Sequence, residues 1–558
     1  MRRLFPSLHG YEGSWLRGDL IAGLTVWAVL IPEALAYASI AGVSPVVGLY
    51  AAPGALLLYA ALGSSRHLIT GPMSATAALS AATVADVVAR SDDKFVTMTA
   101  ALAIATGIAA LLAGLLRLGF LAGFISEPVI KGFIVGLALT IIIGQVPDLL
   151  GIPKGSGNFF EKLWDVVSDL GDIHVLTLVV GLLSLAIVLG LRRTLPAVPG
   201  SLVAVAAGIL LVDVFALEDH GVDIVGTIDS GLPSFGLPDA SLHDYGSLVA
   251  GAIGVMLVGF AEGLGAAKTY AQREHYDIDV NRELLGLGGA NLASGLSSGM
   301  VVNGSLSKTA VNGSAGAHSQ LSGLFVGVLT VVTLLLLTGL FEKLPQATLA
   351  AVVIAAVIEL VDVPALRRLY RIYAGRHAGR FAIAQRQDFL AAITAMLGVL
   401  VFDTLPGLFI GIGVSLLLLL YRASRPHVAS LGQQRGRGPF VDLRRHPGYA
   451  PPDGIAVLRV EGGLFFANAD AIRARVRAEA AGKRAVVLDA ETVPGVDVTA
   501  AEMLANLAAD LHAAGVELLI AGDIGRVRDV LDRSGDVSLP AYPDVESALA
   551  ALERGDHR

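Results

Sequence analysis

Cysteine is absent from this sequence, and charged residues are scarce. The lack of cysteine excludes disulfides, thiolate catalysis and cysteine-based metal sites. Only 16% of the 558 residues are charged and 54% are hydrophobic, a balance typical of an integral membrane protein. Spaced histidine ligands, a phosphate loop and a nucleophile elbow are also missing. We therefore expect neither an enzyme nor a bound metal or other cofactor, and no nucleic-acid partner.

Apolar runs close to the length that crosses a bilayer follow one another from residue 19 to residue 424. The sequence predicts an all-α polytopic membrane domain in which fourteen helices form two inverted repeats of seven. Some of these spans are short or broken by glycine and serine. They are predicted at 20–40, 46–63, 71–89, 97–116, 126–145, 175–191, 200–215, 247–267, 283–299, 305–318, 320–340, 346–361, 387–403 and 405–421.

The charges of the connecting segments predict the orientation of the chain. Arg2, Arg3 and Arg17 precede the first span, which places the N-terminal segment 1–18 in the cytoplasm. Alternation then leaves the connection 218–244, which has acidic residues and no lysine or arginine, on the outside. With fourteen spans, the C-terminus is also expected in the cytoplasm.

The composition changes after the last span. Residues 425–453 are rich in basic residues, glycine and proline, and we interpret them as a linker near anionic lipid. Residues 454–558 show a soluble α/β pattern, with strands expected at 455–460, 485–489 and 516–520 and helices at 468–481, 499–514 and 525–534. Thr499 stands at the start of one of these helices, where it is either the N-cap or a phosphorylatable switch.

Two short, glycine-rich segments occupy matching places in the two halves of the membrane domain. They are Thr70–Thr76 and Asn303–Thr309, and they belong to the third and tenth predicted spans. In transporters with inverted repeats, such broken helices direct their N-termini at a substrate site near the bilayer midplane. Because the N-terminus of a helix attracts negative charge, the two segments predict an anion site.

Ionisable residues within the spans are candidates for the chemistry of that site. Glu33 lies in the middle of the first span, and a carboxyl there either couples transport to a proton or serves as a structural group, for instance paired with Lys308. Lys308 lies one turn into the second broken segment, where a cation is disfavoured by the helix dipole unless an anion visits. Alternatively, Lys308 snorkels or neutralises Glu262.

Glu262, in the eighth span, is open to two interpretations. It is either a member of a buried ion pair or a ligand for a sodium ion together with backbone carbonyls. Nearby asparagines at 291, 303 and 312 are expected to bridge helices through hydrogen bonds. Tyr37, one turn from Glu33, either lines the site or packs within the helix bundle.

Several motifs, in order along the chain, resemble those of the SulP anion permeases, the sulfate permease group that includes prestin and pendrin. The resemblance covers nearly the whole chain, and its C-terminal part resembles a STAS domain. The motifs are Asp19–Val26, Ile31-Pro32-Glu33, Gly63–Arg66, Gly71-Pro72, Gly259–Thr269 and Gly304–Asn312.

The resemblance implies a fold like that of the uracil permeases, with a core domain and a gate domain that move by an elevator mechanism. It also implies a homodimer. The site that it implies consists of Glu33, Tyr37, Met73, Ser74, Leu306, Ser307 and Lys308. Two departures matter, because many relatives have Gln in place of Glu33 and Arg in place of Lys308. Bacterial relatives with Glu at the position of Glu33 resemble proton-coupled transporters. Lys308 offers a point charge without the bidentate fork of Arg, which weakens the expectation of a strong sulfate geometry.

The sequence therefore predicts a secondary active transporter of a small anion in the bacterial inner membrane, surrounded by lipid and coupled to protons. Sulfate is the first candidate substrate, followed by bicarbonate and C4-dicarboxylates. The alternatives are a sodium-coupled bicarbonate symporter, a passive anion channel, and a membrane sensor that signals through its STAS domain to a cytoplasmic regulator.

Overall fold

The computed structural model describes most of the chain, which divides into two compact units, Met1–Ser415 and Leu416–Arg558. Arg2 and Arg3, on which part of the predicted orientation depends, lie outside the described residues. The described residues are 4–89, 94–120, 126–155, 157–195, 198–228, 230–372, 387–402, 404–434, 437–446, 448–522, 525–534 and 539–554.

The first unit consists mainly of helices. They are α1 (Leu16–Ala41), α2 (Pro45–Leu62), α3 (Ser74–Ala85), α4 (Lys94–Leu115), α5 (Glu127–Leu150), α6 (Phe159–Ser168), α7 (Val175–Thr194), α8 (Gly200–Phe215), α9 (Leu242–Arg273), α10 (Val280–Leu296), α11 (Leu306–Ser314), α12 (Leu321–Leu336), α13 (Gln346–Val357), α14 (Val363–Ile372), α15 (Gln387–Phe402) and α16 (Thr404–Ala423), of which α16 extends beyond Ser415.

Each of the fourteen predicted spans overlaps one of these helices, so the helices are consistent with the predicted count. Within the described ranges, six helices are long and apolar enough to cross a membrane: Gly13–Ala41 (including a short 3-10 turn), Pro45–Leu62, Lys94–Leu115, Glu127–Leu150, Val175–Thr194 and Leu242–Arg273. The short helices α6 and α14 were not predicted. Each has ten residues, about half the length of a membrane span.

The two broken segments begin as strands and continue as helices. Strand β1 (Ile69–Gly71) precedes α3, and β2 (Asn303–Ser305) precedes α11. The strands pair antiparallel, with Thr70 opposite Gly304. With 12 and nine residues, α3 and α11 are too short to cross a bilayer. The chain thus contains two half-helices that start from one small sheet, as inverted repeats predict.

Helix packing separates two groups of helices. In one group α10 packs against α2 and α4, α9 against α3 and α4, and α12 against α1 and α2. In the other, α5 packs against α7, α13 and α15, and α8 packs against α7. Helix α1 contacts both groups, through α3 and α11 on one hand and through α8 and α13 on the other. This division matches the expected core and gate domains. Helix α1, which packs against α2 and α12 as well as α3 and α11, belongs to the first group.

The second unit contains a six-stranded sheet in the order β4-β3-β5-β6-β7-β8. Strands β5 to β8 are parallel, whereas β3 pairs antiparallel with β4 and β5. Two apolar clusters cover the sheet, one built with α17 and α18 and the other with α20. The strands are β3 (His427–Gln434), β4 (Arg437–Asp442), β5 (Ile455–Glu461), β6 (Ala485–Asp489), β7 (Glu517–Ala521) and β8 (Ala541–Tyr542), and the helices are α17 (Ala469–Ala480), α18 (Val498–Ala513), α19 (Gly525–Ser534) and α20 (Val545–Arg554).

The structure corrects the interpretation of residues 425–453 as a linker. Both β3 and β4 lie in this segment and belong to the sheet of the second unit. Ala429 and Leu431 of β3 are buried in one of its apolar clusters. The segment was misinterpreted because its glycines and arginines indicate a loop, whereas tertiary pairing with β5 makes it a strand.

Candidate functional site

The site starts from the β1–β2 pair, which brings the N-termini of the two half-helices to one place. Gly71 faces Asn303 across the pair, and Ile69 faces Ser305. The pair is buried, as are all six residues of the two strands. Because the strands run in opposite directions, the helices that follow them also leave the sheet in opposite directions. The first turns of α3 and α11 are therefore held near one another by backbone pairing.

The first turn of α3 has no side-chain cap. Met73 occupies the N-cap position in an extended conformation, and its side chain cannot accept a hydrogen bond from the helix. Ser74, the first helical residue, is buried. The backbone N–H groups at the start of a helix need partners, and a buried terminus without a cap is suited to an anion.

The first turn of α11 is organised differently. The Ser305 side chain caps the helix and accepts a hydrogen bond from the backbone N–H of Lys308 at 3.3 Å. The hydroxyls of Ser305 and Ser307 lie 3.1 Å apart. Lys308, in the same turn, is 1% exposed. A buried cation in the first turn of a helix requires a negative partner, because the helix dipole opposes it.

Glu33 supplies that partner. The Nζ atom of Lys308 lies 2.5 Å from Oε2 of Glu33 in the middle of α1. The same Nζ atom lies 5.2 Å from the centre of the Tyr37 ring, within the range of a cation–π contact. All three side chains are buried. Glu33 therefore forms the ion pair with Lys308 that the sequence analysis gave as one of its alternatives. Because Lys308 is buried, its side chain does not point into lipid.

The remaining residues implied by the resemblance surround this ion pair to different degrees. Ser74 is buried and Met73 is half-buried, whereas Leu306 and Ser307 are exposed. Helix α1 packs against both α3 and α11, so Glu33 and Tyr37 lie on the helix that both half-helices contact. Two side chains in the first turn of α11 are therefore accessible, whereas the ion pair beside them is buried.

Glu262 is held apart from Lys308. Its Oε2 atom accepts a long hydrogen bond, 3.5 Å, from Nδ2 of Asn303 in β2. The structure therefore pairs Lys308 with Glu33 and not with Glu262. Asn291 bridges to the segment before β2 through both the N–H and the carbonyl of Val302, and Asn312 donates to the carbonyl of His67.

Two buried carboxylates that the sequence analysis did not select fix the loops beside the half-helices. Asp19 accepts hydrogen bonds from the backbone N–H groups of His318 and Ser319, at 2.7 and 3.1 Å. Glu283 accepts from the hydroxyl of Tyr59 at 2.6 Å and from the backbone N–H of Ser64 at 2.8 Å. Both carboxylates lie at the ends of helices, and the sequence contains no signal for their distant partners.

In the second unit, the structure corrects the N-cap assignment. Helix α18 begins at Val498, and its N-cap is Asp497, whose side chain accepts from the backbone N–H of Ala500 at 2.8 Å. Thr499 is an exposed residue of the first turn. Its phosphorylation stays a prediction.

Models of two protein families match successive parts of the chain. The model of the "Sulfate permease family" matches residues 16–375, and the model of the "STAS domain" matches residues 449–548. The chain belongs to the sulfate permease family. A relative from Mycobacterium tuberculosis, named "Probable sulfate transporter", is 36% identical over 98% of this chain and 96% of its own length.

Solved structures share the fold of this sulfate permease family member. The structure of murine solute carrier 26 family member A9, an anion transporter in the inward-facing state, matches with a TM-score of 0.88 at 22% identity, over 99% of this chain and 94% of that one. The transmembrane domain of the cyanobacterial bicarbonate transporter BicA matches with a TM-score of 0.60 at 24% identity, over 69% and 97%. The fold is therefore that of multi-pass membrane proteins with a C-terminal STAS domain.

Proposed function

We propose that this protein is an anion transporter that moves a small anion together with a proton. The observation that carries the proposal is the buried contact of 2.5 Å between Lys308 and Glu33 beside two half-helix N-termini. While Glu33 is ionised, its carboxylate forms an ion pair with the ammonium group of Lys308 and competes with an anion for it. Protonation of Glu33 removes its charge and leaves the ammonium group available to an anion, so proton and anion would bind together.

Sulfate is the first candidate substrate, because the similar protein from Mycobacterium tuberculosis carries that name. Bicarbonate and C4-dicarboxylates follow. Movement of the helix group that contains α3 and α11 against the group that contains α5 and α13 would carry the site across the membrane in an elevator mechanism. The proposal also includes a homodimer and cytoplasmic N- and C-termini.

Uptake into proteoliposomes tests the coupling through the variant Glu33→Gln. For the wild-type protein, we expect sulfate uptake to increase with an inward proton gradient. Glu33→Gln should retain uptake but lose the dependence on the gradient, because an amide cannot carry the proton. Glu33→Asp, which keeps a titratable carboxyl, is the matched control and should retain the dependence. An undiminished response to the gradient in Glu33→Gln would refute the role of this residue.

A sodium-coupled bicarbonate symporter is the second candidate, with Glu262 beside β2 as the carboxylate that would hold the sodium ion. Uptake would then follow a sodium gradient and fail in Glu262→Ala, while Glu33→Gln would leave the sodium dependence unchanged. A passive channel would instead give sustained ionic currents that do not saturate with substrate concentration.

A further inference from the structure

We propose that His67 is a positioning residue of the anion site: its neutral ring holds the end of the half-helix that carries Lys308, and a second proton on the ring loosens that end. This inference rests on the proposed function, to which it adds a sensitivity of the site to pH. His67 lies between α2 and β1, outside the membrane-spanning helices, and it is 4% exposed.

Helix α11 is held along its length by the segment that leads into β1. It has nine residues, and a helix this short is not stable by itself. Its start follows β2, which pairs with β1. The hydroxyl of Thr309, next to Lys308, accepts a hydrogen bond of 3.1 Å from the backbone N–H of Ile69. One turn beyond Lys308, Nδ2 of Asn312 donates to the carbonyl of His67 at 3.0 Å. The end of α11 therefore depends on the position of His67.

The ring of His67 makes two hydrogen bonds that define its protonation. Its Nε2 atom lies 3.0 Å from the carbonyl oxygen of Ala317, which follows α11, and a carbonyl can only accept. Nε2 therefore carries a proton. Its Nδ1 atom lies 3.2 Å from the hydroxyl of Tyr276, which follows α9 and whose ring stacks on the imidazole. In the neutral ring, Nδ1 accepts from this hydroxyl. His67 thus joins the segment before β1 to the ends of both α9 and α11.

A second proton on the ring leaves this network one acceptor short. The Tyr276 hydroxyl accepts from the backbone N–H of Arg66 at 3.3 Å and lies 3.1 Å from the hydroxyl of Ser65. If Nδ1 becomes a donor, the Tyr276 proton has to turn to Ser65. The Ser65 oxygen already accepts from the backbone N–H groups of His67 and Leu68, which use its two lone pairs. One hydrogen bond is then lost beside a buried cation, so protonation favours release of the ring.

The charged groups around the ring do not form an ion pair with it in the part of the chain that the structure describes. Both hydrogen bonds of the ring go to uncharged groups. Glu274 is exposed and pairs with Arg273 at 3.6 Å. The buried carboxylates Asp19 and Glu283 accept hydrogen bonds from backbone N–H groups of the neighbouring loops. The titratable and charged side chains of the surrounding elements are Asp19, Arg66, Tyr270, Arg273, Glu274, Tyr276, Glu283 and His318.

The direction of the pH effect follows from this environment. Burial lowers the pKa of His67 more than the hydrogen bond to the carbonyl of Ala317 raises it. The folded protein therefore binds the second proton less readily than the unfolded chain, in which histidine titrates near pH of about 6.5. The stability that neutral His67 supplies is complete above this pH and is lost as the pH falls below it.

A spin label on α11 tests the release of the helix end. Because the sequence has no cysteine, Ser314→Cys gives a single labelling site, on the exposed last residue of α11 in the full-length protein. We expect the mobile fraction of the label to rise at least about two-fold between pH of about 7.5 and pH of about 5. In the His67→Gln background, the label should not respond to pH, because an amide does not titrate. A label at Arg193→Cys, exposed in α7, is the control for general loosening and should not respond either.

Uptake of radiolabelled sulfate into proteoliposomes tests the link between His67 and the anion site. The driving force is a sulfate gradient, with the same pH of about 7.5 on both sides. His67→Ala removes the hydrogen bonds to Ala317 and Tyr276 and should lower uptake about ten-fold, because Lys308 is no longer held in place. His67→Gln retains an N–H group for the carbonyl of Ala317 and should stay within about three-fold of the wild-type protein.

A label on α11 that responds to pH as strongly in His67→Gln as in the wild-type background would overturn the inference. Undiminished uptake in His67→Ala, or the same loss in His67→Gln as in His67→Ala, would also overturn it. Should His67→Ala fail to fold, the label comparison, which uses His67→Gln, still decides. The label needs no transport, so its result is independent of the proposed function, whose own test is the response of uptake to a proton gradient.

Discussion

The start of α3 and the start of α11 occupy equivalent places on the two sides of the β1–β2 pair, yet their first turns are built differently. Helix α3 has no side-chain cap and no charge in its first turn. Helix α11 is capped by Ser305 and carries Lys308. Under the proposed function, α3 would contribute backbone N–H groups to an anion, whereas α11 would contribute a charge that Glu33 controls.

Among changes to the first turns of α3 and α11, replacement of Lys308 should have the largest effect on anion uptake. Lys308→Gln should reduce anion uptake at least about 100-fold, because it removes the charge that attracts the anion. The variant also leaves Glu33 buried without its partner, which costs roughly 3–5 kcal/mol of stability while that carboxyl is ionised. Uptake assays and thermal melting measure the two effects.

The double variant Glu33→Gln with Lys308→Gln is the control, since it removes both charges. Its melting temperature should recover while uptake stays low. If Lys308→Gln alone retained uptake, the charge of α11 would have no part in anion binding, and the difference between the two half-helices would lose its functional meaning.

A carboxylate placed at the N-cap of α3 should have the second-largest effect. Met73→Asp would cap the first turn, stabilise the helix by about 1 kcal/mol and occupy the position of the anion. We expect uptake to fall roughly 10- to 100-fold with an unchanged or higher melting temperature, because the new charge competes with the substrate. Met73→Asn would cap the helix without adding a charge, so its uptake should fall less than that of Met73→Asp. Normal uptake by Met73→Asp would show that the anion does not approach α3.

Substitution of the two glycines of the strand pair, Gly71 and Gly304, should give the smallest effect. The two alanine variants should differ in stability. A Cβ atom on Gly304 would lie 2.8 Å from Cδ2 of Leu68 and 3.1 Å from Cα of Gly263, whereas one on Gly71 would meet Leu30 at 3.5 Å. Gly304→Ala should therefore destabilise the protein by about 1–3 kcal/mol, since the buried Leu68 side chain must move and the backbone at Gly263 must shift slightly. Gly71→Ala should be nearly neutral. Thermal melting of both variants in the same detergent measures the difference, and equal melting temperatures would contradict it.

The predicted spans and the ion pair show how far local sequence information reached. Apolar runs identify membrane helices because a bilayer imposes a length and a composition on each of them. The sequence did not predict short helices such as α6 or strands such as β3, because their lengths or compositions resemble those of connecting segments. Glu33 and Lys308 were selected because ionisable residues are costly at membrane depth.

Partners distant in the chain could not be derived in the same way. Lys308 had three possible environments in the sequence: lipid, Glu262 and Glu33. The contact with Glu33 joins residues 275 positions apart. The pairing of β1 with β2 likewise depends on how the two repeats interlock. Local propensity contains no information about such placement, because it describes neighbours along the chain.

The sequence by itself determined that this chain is a membrane protein with two broken helices, a carboxyl and a lysine at membrane depth, and a soluble α/β domain after them. These properties follow from composition and spacing, because the bilayer and the surrounding water impose a length and a polarity on each segment of the chain. Only the tertiary structure decided that the half-helices start from one strand pair and that Lys308 meets Glu33. Burial in a shared, low-dielectric interior is what makes one particular partner necessary for each charge.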